Sequence, residues 1–230
     1  MKAALNKLLL PAVGLAMLLL TSCSSVQAPF HSKAYRPTNL DDVRVKVSLD
    51  KMNVYVMERD KVLLVTPTTI GTAEDPTPKG DFKIFKKIEH KRSYTYGFHV
   101  NDASKQIHPG KSANTPDGQR YVGYPMPYWV EFHPAYGFHS GGVWPVPRSH
   151  GCLRLHPNVA PKFYELVKVG TPVNIAQSQP EDLTIGKNVK RPSDYADPDP
   201  PASFLITGNV FVDPNFPLFE EGPAPSPAEY

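Results

Sequence analysis

The stretch GFHSGGVWPVPRSHGCLRL, from Gly137 to Leu155, gathers a thiol, two imidazoles and two guanidinium groups within nineteen residues. The thiol is Cys152. Its thiolate would be a nucleophile, but a free cysteine titrates near ~8.5 and needs a base or a positive neighbour at neutral pH. Histidine titrates in the right range. Two stand close: His150, two residues before the thiol, and His139, thirteen before. The residues alone leave either one open as the base. Gly151 lets the backbone turn sharply beside the thiol, and the N–H groups of Gly151 and Cys152 could face a developing oxyanion. In a strand, Arg154 would share a face with Cys152 and could hold a carboxylate through two hydrogen bonds. The chemistry that uses all of these groups is acyl transfer through a cysteine.

Other readings compete. A lone cysteine is often a buried core residue. His139, His150, Cys152 and His156 could all ligate a metal, but the chain has neither a CxxC pair nor HExxH, so no metal site is expected. His31, His90, His99, His108 and His133 carry no spacing signal and read as structural or exposed. Trp144, between glycines and prolines, reads as a groove wall or as ordinary packing.

The elements that must position these groups are mostly strands. Val43, Val45, Val47 and Leu49 alternate with Arg44, Lys46 and Ser48, the period of a half-buried strand. Asn53–Met57 and Val62–Thr66 are two more, joined by a polar turn over Glu58–Lys61. Asp81–Ile88 reads as one alternating strand with Phe82, Ile84 and Ile88 on one face. Tyr94–Val100 and Tyr128–Phe132 are aromatic strands. One helix is expected, capped by Asn158, with Val159, Phe163, Leu166 and Val167 on its apolar face, Pro161 in its first turn and Gly170 at its stop. Thr171–Ala176 closes the domain as a strand.

The chain begins with Lys2 and Lys7 and an apolar run of thirteen residues, Leu8–Leu20. That is shorter than the ~20 a membrane-spanning helix needs and reads as a secretory signal. Leu20-Thr21-Ser22-Cys23 resembles a bacterial lipobox, so Cys23 is expected to carry lipid and tether the protein to a membrane, with Ser24 after it pointing to the outer membrane of a Gram-negative host. Cys23 and Cys152 are the only cysteines, so lipidation would leave Cys152 as an unpaired thiol that needs a reason. The expected organisation is a signal peptide over 1–22, a tether over 23–40, a catalytic domain over 41–177 and a proline-rich acidic extension over 178–230. Within the extension the apolar run Ser203–Phe219 is expected either to dock as an added strand or to stay disordered. Residues 24–176 carry twenty bases against thirteen acids, whereas residues 177–230 carry nine acids against three bases. A basic exported domain suits an acidic wall polymer, and no nucleic-acid partner is expected.

His139 followed by Ser149-His150-Gly151-Cys152-Leu153-Arg154 resembles the signature of the YkuD-type L,D-transpeptidases of bacterial cell walls. Asp75-Pro-Thr-Pro-Lys-Gly-Asp-Phe82 is similar to that family's Thr-Pro-x-Gly-x-Phe/Tyr segment, and Ile70-Gly71 precedes it as in the family. The resemblance covers about Val43–Ala176. It implies a mainly β, L,D-transpeptidase-like sandwich with one or two short helices. It also implies that Cys152 is the nucleophile and that His139 is the general base, oriented by a backbone carbonyl. Ser149, His150, Gly151 and Arg154 would then support the site. No cofactor is implied, and the substrate would be a peptidoglycan peptide stem. One departure is Ser140, where the family often has glycine directly after the histidine. Two alternatives use or dispense with the same thiol: an L,D-carboxypeptidase or amidase, and a wall-binding lipoprotein without activity.

Overall fold

The structure, a computed structural model, describes residues 30–194 and 200–230. The signal segment and Cys23 lie outside the described residues. Alternating apolar residues build a five-stranded sheet in the order β3-β2-β1-β12-β4. Its strands are β1 (Val43–Ser48), β2 (Asn53–Glu58), β3 (Lys61–Pro67), β4 (Gly80–Lys83) and β12 (Pro172–Ala176). Val43, Val45 and Val47 of β1 point into the core, while Arg44 and Lys46 point out. The expected turn before β3 is present, with Arg59 in the left-handed region at φ 53°.

A second sheet packs against this one. It has four strands in the order β11-β10-β9-β5, namely β5 (Lys86–Ile88), β9 (Trp129–His133), β10 (Tyr136–Ser140) and β11 (Leu153–Leu155). Val130, Phe132, Phe138, Leu153 and Leu155 project from it into the shared core. The single strand expected over Asp81–Ile88 is two strands in two sheets. The chain crosses between them at Ile84, whose N–H donates to Thr171, and Phe85, whose N–H donates to Glu131. Ile84 is buried in the core and Phe85 is exposed, so the alternation persists through a change of sheet that it does not signal.

Helix α1 (Ala160–Leu166) covers part of this core, with the Phe163 ring 4.5 Å from that of Phe138. Asn158 does not cap it. Its side-chain amide donates to the Phe30 carbonyl instead, and the first free N–H groups, of Val159 and Ala160, donate to the His156 carbonyl. Gly170, at φ 96°, is the turn into β12 rather than the helix stop.

A third, three-stranded sheet, β7-β6-β8, stands apart from the sandwich. It comprises β6 (Arg92–Asn101), β7 (Gln106–Lys111) and β8 (Arg120–Pro125). Its apolar residues Phe98 and Val100 are covered by Leu205 of a second short helix, α2 (Ala202–Leu205). The run Ser203–Phe219 therefore contributes part of a helix and a 3-10 turn, Gly208–Val210, and no strand. Arg92 fixes this packing, its guanidinium donating to the carbonyls of Gly123, Leu205 and Thr207. Further back, residues after Ala176 cover the outer face of β2 and β3. Ile185 packs against Tyr55, Met57, Val62 and Val65.

Candidate active site

Two neighbouring strands of the four-stranded sheet, the edge strand β11 and the inner strand β10, bring the sequence motif together. β10 and β11 run parallel, with Phe138 beside Leu153 and His139 beside Arg154. Phe138, Leu153 and Leu155 are core residues. Strand alternation therefore puts His139, Cys152 and Arg154 on the opposite, outer face. The antiparallel neighbour β9 pairs Glu131 with Gly137 and Val130 with Phe138, so Trp129 and Glu131 join the same face. His139 and Cys152, thirteen residues apart in sequence, come onto one face of the sheet because their strands are adjacent, with His139 directly beside Arg154.

His139 is buried, and its ring lies against Trp129 with centroids 6.0 Å apart. Its Nδ1 is 2.8 Å from the Ser140 carbonyl oxygen. A carbonyl only accepts, so Nδ1 carries the proton and the neutral ring keeps its lone pair on Nε2. Burial, with the nearby Arg154 guanidinium second, holds the imidazole down at about 4 despite the bond to Ser140. The ring is therefore neutral at ordinary pH. Ser140, the departure from the family pattern, supplies this bond through its backbone, which any residue could do.

Cys152 is a free thiol, partly accessible. Its Sγ lies 3.8 Å from the Ala135 carbonyl oxygen. Burial pushes the thiol up, opposed by the Gly137 N–H and by the charges of Arg154 and Lys91. At neutral pH the sulfur is therefore held as a thiol and the imidazole is neutral.

The turn before the thiol is tightly specified. Gly151 has φ 96°, and a Cβ there would lie 2.4 Å from the Tyr136 ring. The buried Ser149 hydroxyl donates to the Cys152 carbonyl at 2.6 Å and accepts from the Gly151 N–H at 3.1 Å. That N–H is therefore committed to Ser149 and does not face an oxyanion, contrary to the expectation from sequence. The Asp75–Phe82 segment supports the turn from outside. The Thr77 hydroxyl donates to the Gly151 carbonyl and accepts from the Gly71 N–H, each at 2.9 Å. The backbone of Thr69 pairs with Arg154, and that of Gly71 with Ser149.

His150 is exposed and stacks on Tyr96 of β6, centroids 4.7 Å apart, with the Asp75 carboxylate 4.0 Å away. It links the turn to the three-stranded sheet. Trp144 carries the Arg148 guanidinium 3.8 Å above its ring. His156 lies elsewhere, paired with Asp194 at 2.8 Å, so the four residues weighed as metal ligands do not form one cluster. Among the described residues, the grouping with metal-like spacing is the exposed Glu89, His90 and Asp213. The sequence reading missed Glu131 and Lys91. Glu131 had one signal: a carboxylate two residues from Trp129, on the face opposite Val130 and Phe132.

A family model described as L,D-transpeptidase catalytic domain, YkuD, matches residues 42–175, more than half of the chain. No curated protein matches the chain. A solved L,D-transpeptidase from Stackebrandtia nassauensis is 24% identical over 64% of this chain and 60% of that one, with a TM-score of 0.42. One from Mycobacterium smegmatis is 20% identical over 59% of this chain and 58% of that one, at a TM-score of 0.45. The catalytic domain of an E. faecium L,D-transpeptidase is 21% identical over 60% of this chain and 99% of that one, at a TM-score of 0.43. The chain spans about three fifths of the length of the first two.

Proposed function

The chain belongs to the YkuD family of L,D-transpeptidase catalytic domains, and from that premise we propose that it is an exported, lipid-anchored L,D-transpeptidase working through a Cys152 thioester. The family acts on peptidoglycan stem peptides outside the cytoplasm. The observation that carries the reading is the placement of Cys152, His139 and Arg154 on one face of adjacent strands, with His139 Nε2 as its basic nitrogen.

The reaction has two halves. Sγ attacks the carbonyl of a diaminopimelate-type residue in a tetrapeptide stem while His139 Nε2 takes the thiol proton. The tetrahedral intermediate collapses, the proton passes to the departing amine, and D-alanine leaves. An amine of a second stem then attacks the thioester carbonyl. Its proton passes through His139 to the leaving sulfur, which restores the thiol. Arg154 is charged and, among the described residues, makes no side-chain hydrogen bond or ion pair, so it is available to a substrate carboxylate. Cys23 carries the lipid that holds the domain at the membrane, and Ser24 directs it to the outer membrane of a Gram-negative host.

The test is turnover of defined muropeptides by the protein and by Cys152→Ala. The reading expects D-alanine release that depends on Cys152 and a cross-linked product when an amine acceptor is present. Equal release by Cys152→Ala would sink it. Release without any cross-linked product would make the protein a hydrolase of the same bond. Intact-mass measurement of the N-terminal peptide checks the anchor, with a diacylglyceryl mass expected on Cys23.

A further inference from the structure

The face that carries Cys152 and His139 also carries a carboxylate with both oxygens engaged. Glu131 Oε1 accepts from the Ala135 N–H at 3.1 Å, and Oε2 accepts from the Trp129 indole N–H at 3.1 Å. Each bond leads to one member of the proposed catalytic pair. Ala135 sits at φ 65°, uncommon for a residue other than glycine, in the turn between β9 and β10. Its carbonyl faces the Cys152 sulfur at 3.8 Å, and the Gly137 N–H that follows bears on the same sulfur. Trp129 is almost fully buried and packs on the His139 ring. Opposite Glu131 in the ladder stands Gly137, and the Trp129 indole occupies the space a side chain there would need, with its ring 2.9 Å from where a Cβ would sit.

We propose that Glu131 is a positioning residue for both Cys152 and His139, fixing the sulfur through the β9–β10 turn and the imidazole through Trp129. The inference rests on the reading of Cys152 as nucleophile and His139 as base. Glu131 does not touch the reacting atoms. It holds two structures that do, and it does so with one rigid group, so the separation of nucleophile and base is set by a single side chain. Glutamine cannot replace it, because an amide offers one acceptor oxygen and turns an NH2 toward the second N–H.

The charge of Glu131 has an opposite effect on the thiol. Among the charged groups that bear on Cys152, Arg154 and Lys91 pull its titration down and Glu131 pushes it up. Removing the charge alone would ionise the sulfur more readily and speed any reaction limited by thiolate. Removing the positioning would slow transfer. The two roles predict different signs and can be separated.

The experiment uses the full chain carrying Glu131→Gln, with two readouts. Alkylation of Cys152 by iodoacetamide across pH needs no peptidoglycan substrate, and its midpoint is expected to move down relative to the parent. Turnover of a tetrapeptide stem is expected to lose roughly 100-fold in kcat, the scale of a misplacement of about 1 Å, with KM changed less than about twofold. An unchanged kcat overturns the proposal. Should Glu131→Gln not fold, Trp129→Phe keeps an aromatic ring against His139 and removes the indole N–H. Its kcat is then expected to fall with the alkylation midpoint unmoved, and parental kcat in that variant overturns the proposal. A parent protein without Cys152-dependent turnover counts against the proposed function. The limiting alkylation rate at high pH, where the sulfur is fully ionised, then reads its placement, and a limiting rate in Glu131→Gln equal to the parent's overturns the Glu131 proposal.

Discussion

His139 is the residue whose environment has the clearest consequences. Burial holds its imidazole at about 4, below the ordinary 6.5. The unfolded chain therefore binds a proton between those values that the folded chain does not. By linkage, stability is fully present above about 6.5 and falls as pH drops toward 4, by about 3 kcal/mol in all. His139→Gln should flatten the pH dependence of the urea midpoint over that window, and an equally steep dependence in the variant would show that other groups cause it. Arg154 helps to hold the imidazole down and also holds the Cys152 thiol down. In Arg154→Gln, the acid limb of the pH–rate profile should move to higher pH, and kcat/KM should fall roughly 10- to 100-fold through the lost charge-assisted hydrogen bonds to substrate. A limb that stays in place would separate Arg154 from the base.

At the scale of elements, the site depends on a turn clamped from both sides. A Cβ on Gly71 would lie 2.2 Å from the Asp75 carbonyl oxygen and 2.8 Å from the Gly151 Cα. Gly71→Ala should therefore displace the turn that carries Cys152, costing roughly 1–3 kcal/mol and more activity than stability, as peptide turnover beside a melting curve would reveal. Phe163 is fully buried against Phe138, on the core side of the sheet opposite the face that carries His139 and Cys152. Phe163→Ala should cost about 3–5 kcal/mol in denaturant unfolding. Much of this architecture was legible beforehand, because Val43, Val45 and Val47 bury one face of a strand and declare the period of two. β10 and β11 were not anticipated. Both are short, and they flank a stretch rich in glycine and proline that carries no alternating pattern. The motif itself was legible as chemistry. The residues alone left His139 and His150 both open as the base, and only the family resemblance pointed to His139. The parallel pairing of β10 with β11, which sets His139 beside Arg154, is announced by no local pattern. The Gly151 N–H was assigned to the wrong partner because the Ser149 hydroxyl that takes it is set by the turn's geometry.

In the whole molecule, the extension is bound into the domain at several points. Asp182 is buried and accepts from the Tyr55 hydroxyl at 2.6 Å and the Ser48 hydroxyl at 2.8 Å. Glu181 pairs with Lys46, Asp194 with His156 and Glu220 with His31. The acidic extension thus meets the basic domain through these contacts, and Ile185 within it covers strands β2 and β3. Asp182→Ala leaves two buried hydroxyls without their acceptor and should lower stability by at least about 2 kcal/mol, seen as a lower denaturant midpoint with peptide turnover retained in the folded fraction. The central claim is the thioester on Cys152, and trapping it is the most direct test. The full chain, incubated with a tetrapeptide stem and quenched in acid, should show a peptide containing Cys152 that has gained the stem's acyl group less its terminal D-alanine. The adduct should be missing from Cys152→Ala and much reduced in His139→Gln. Turnover of the stem by folded protein with no adduct on Cys152 at any time would contradict the account.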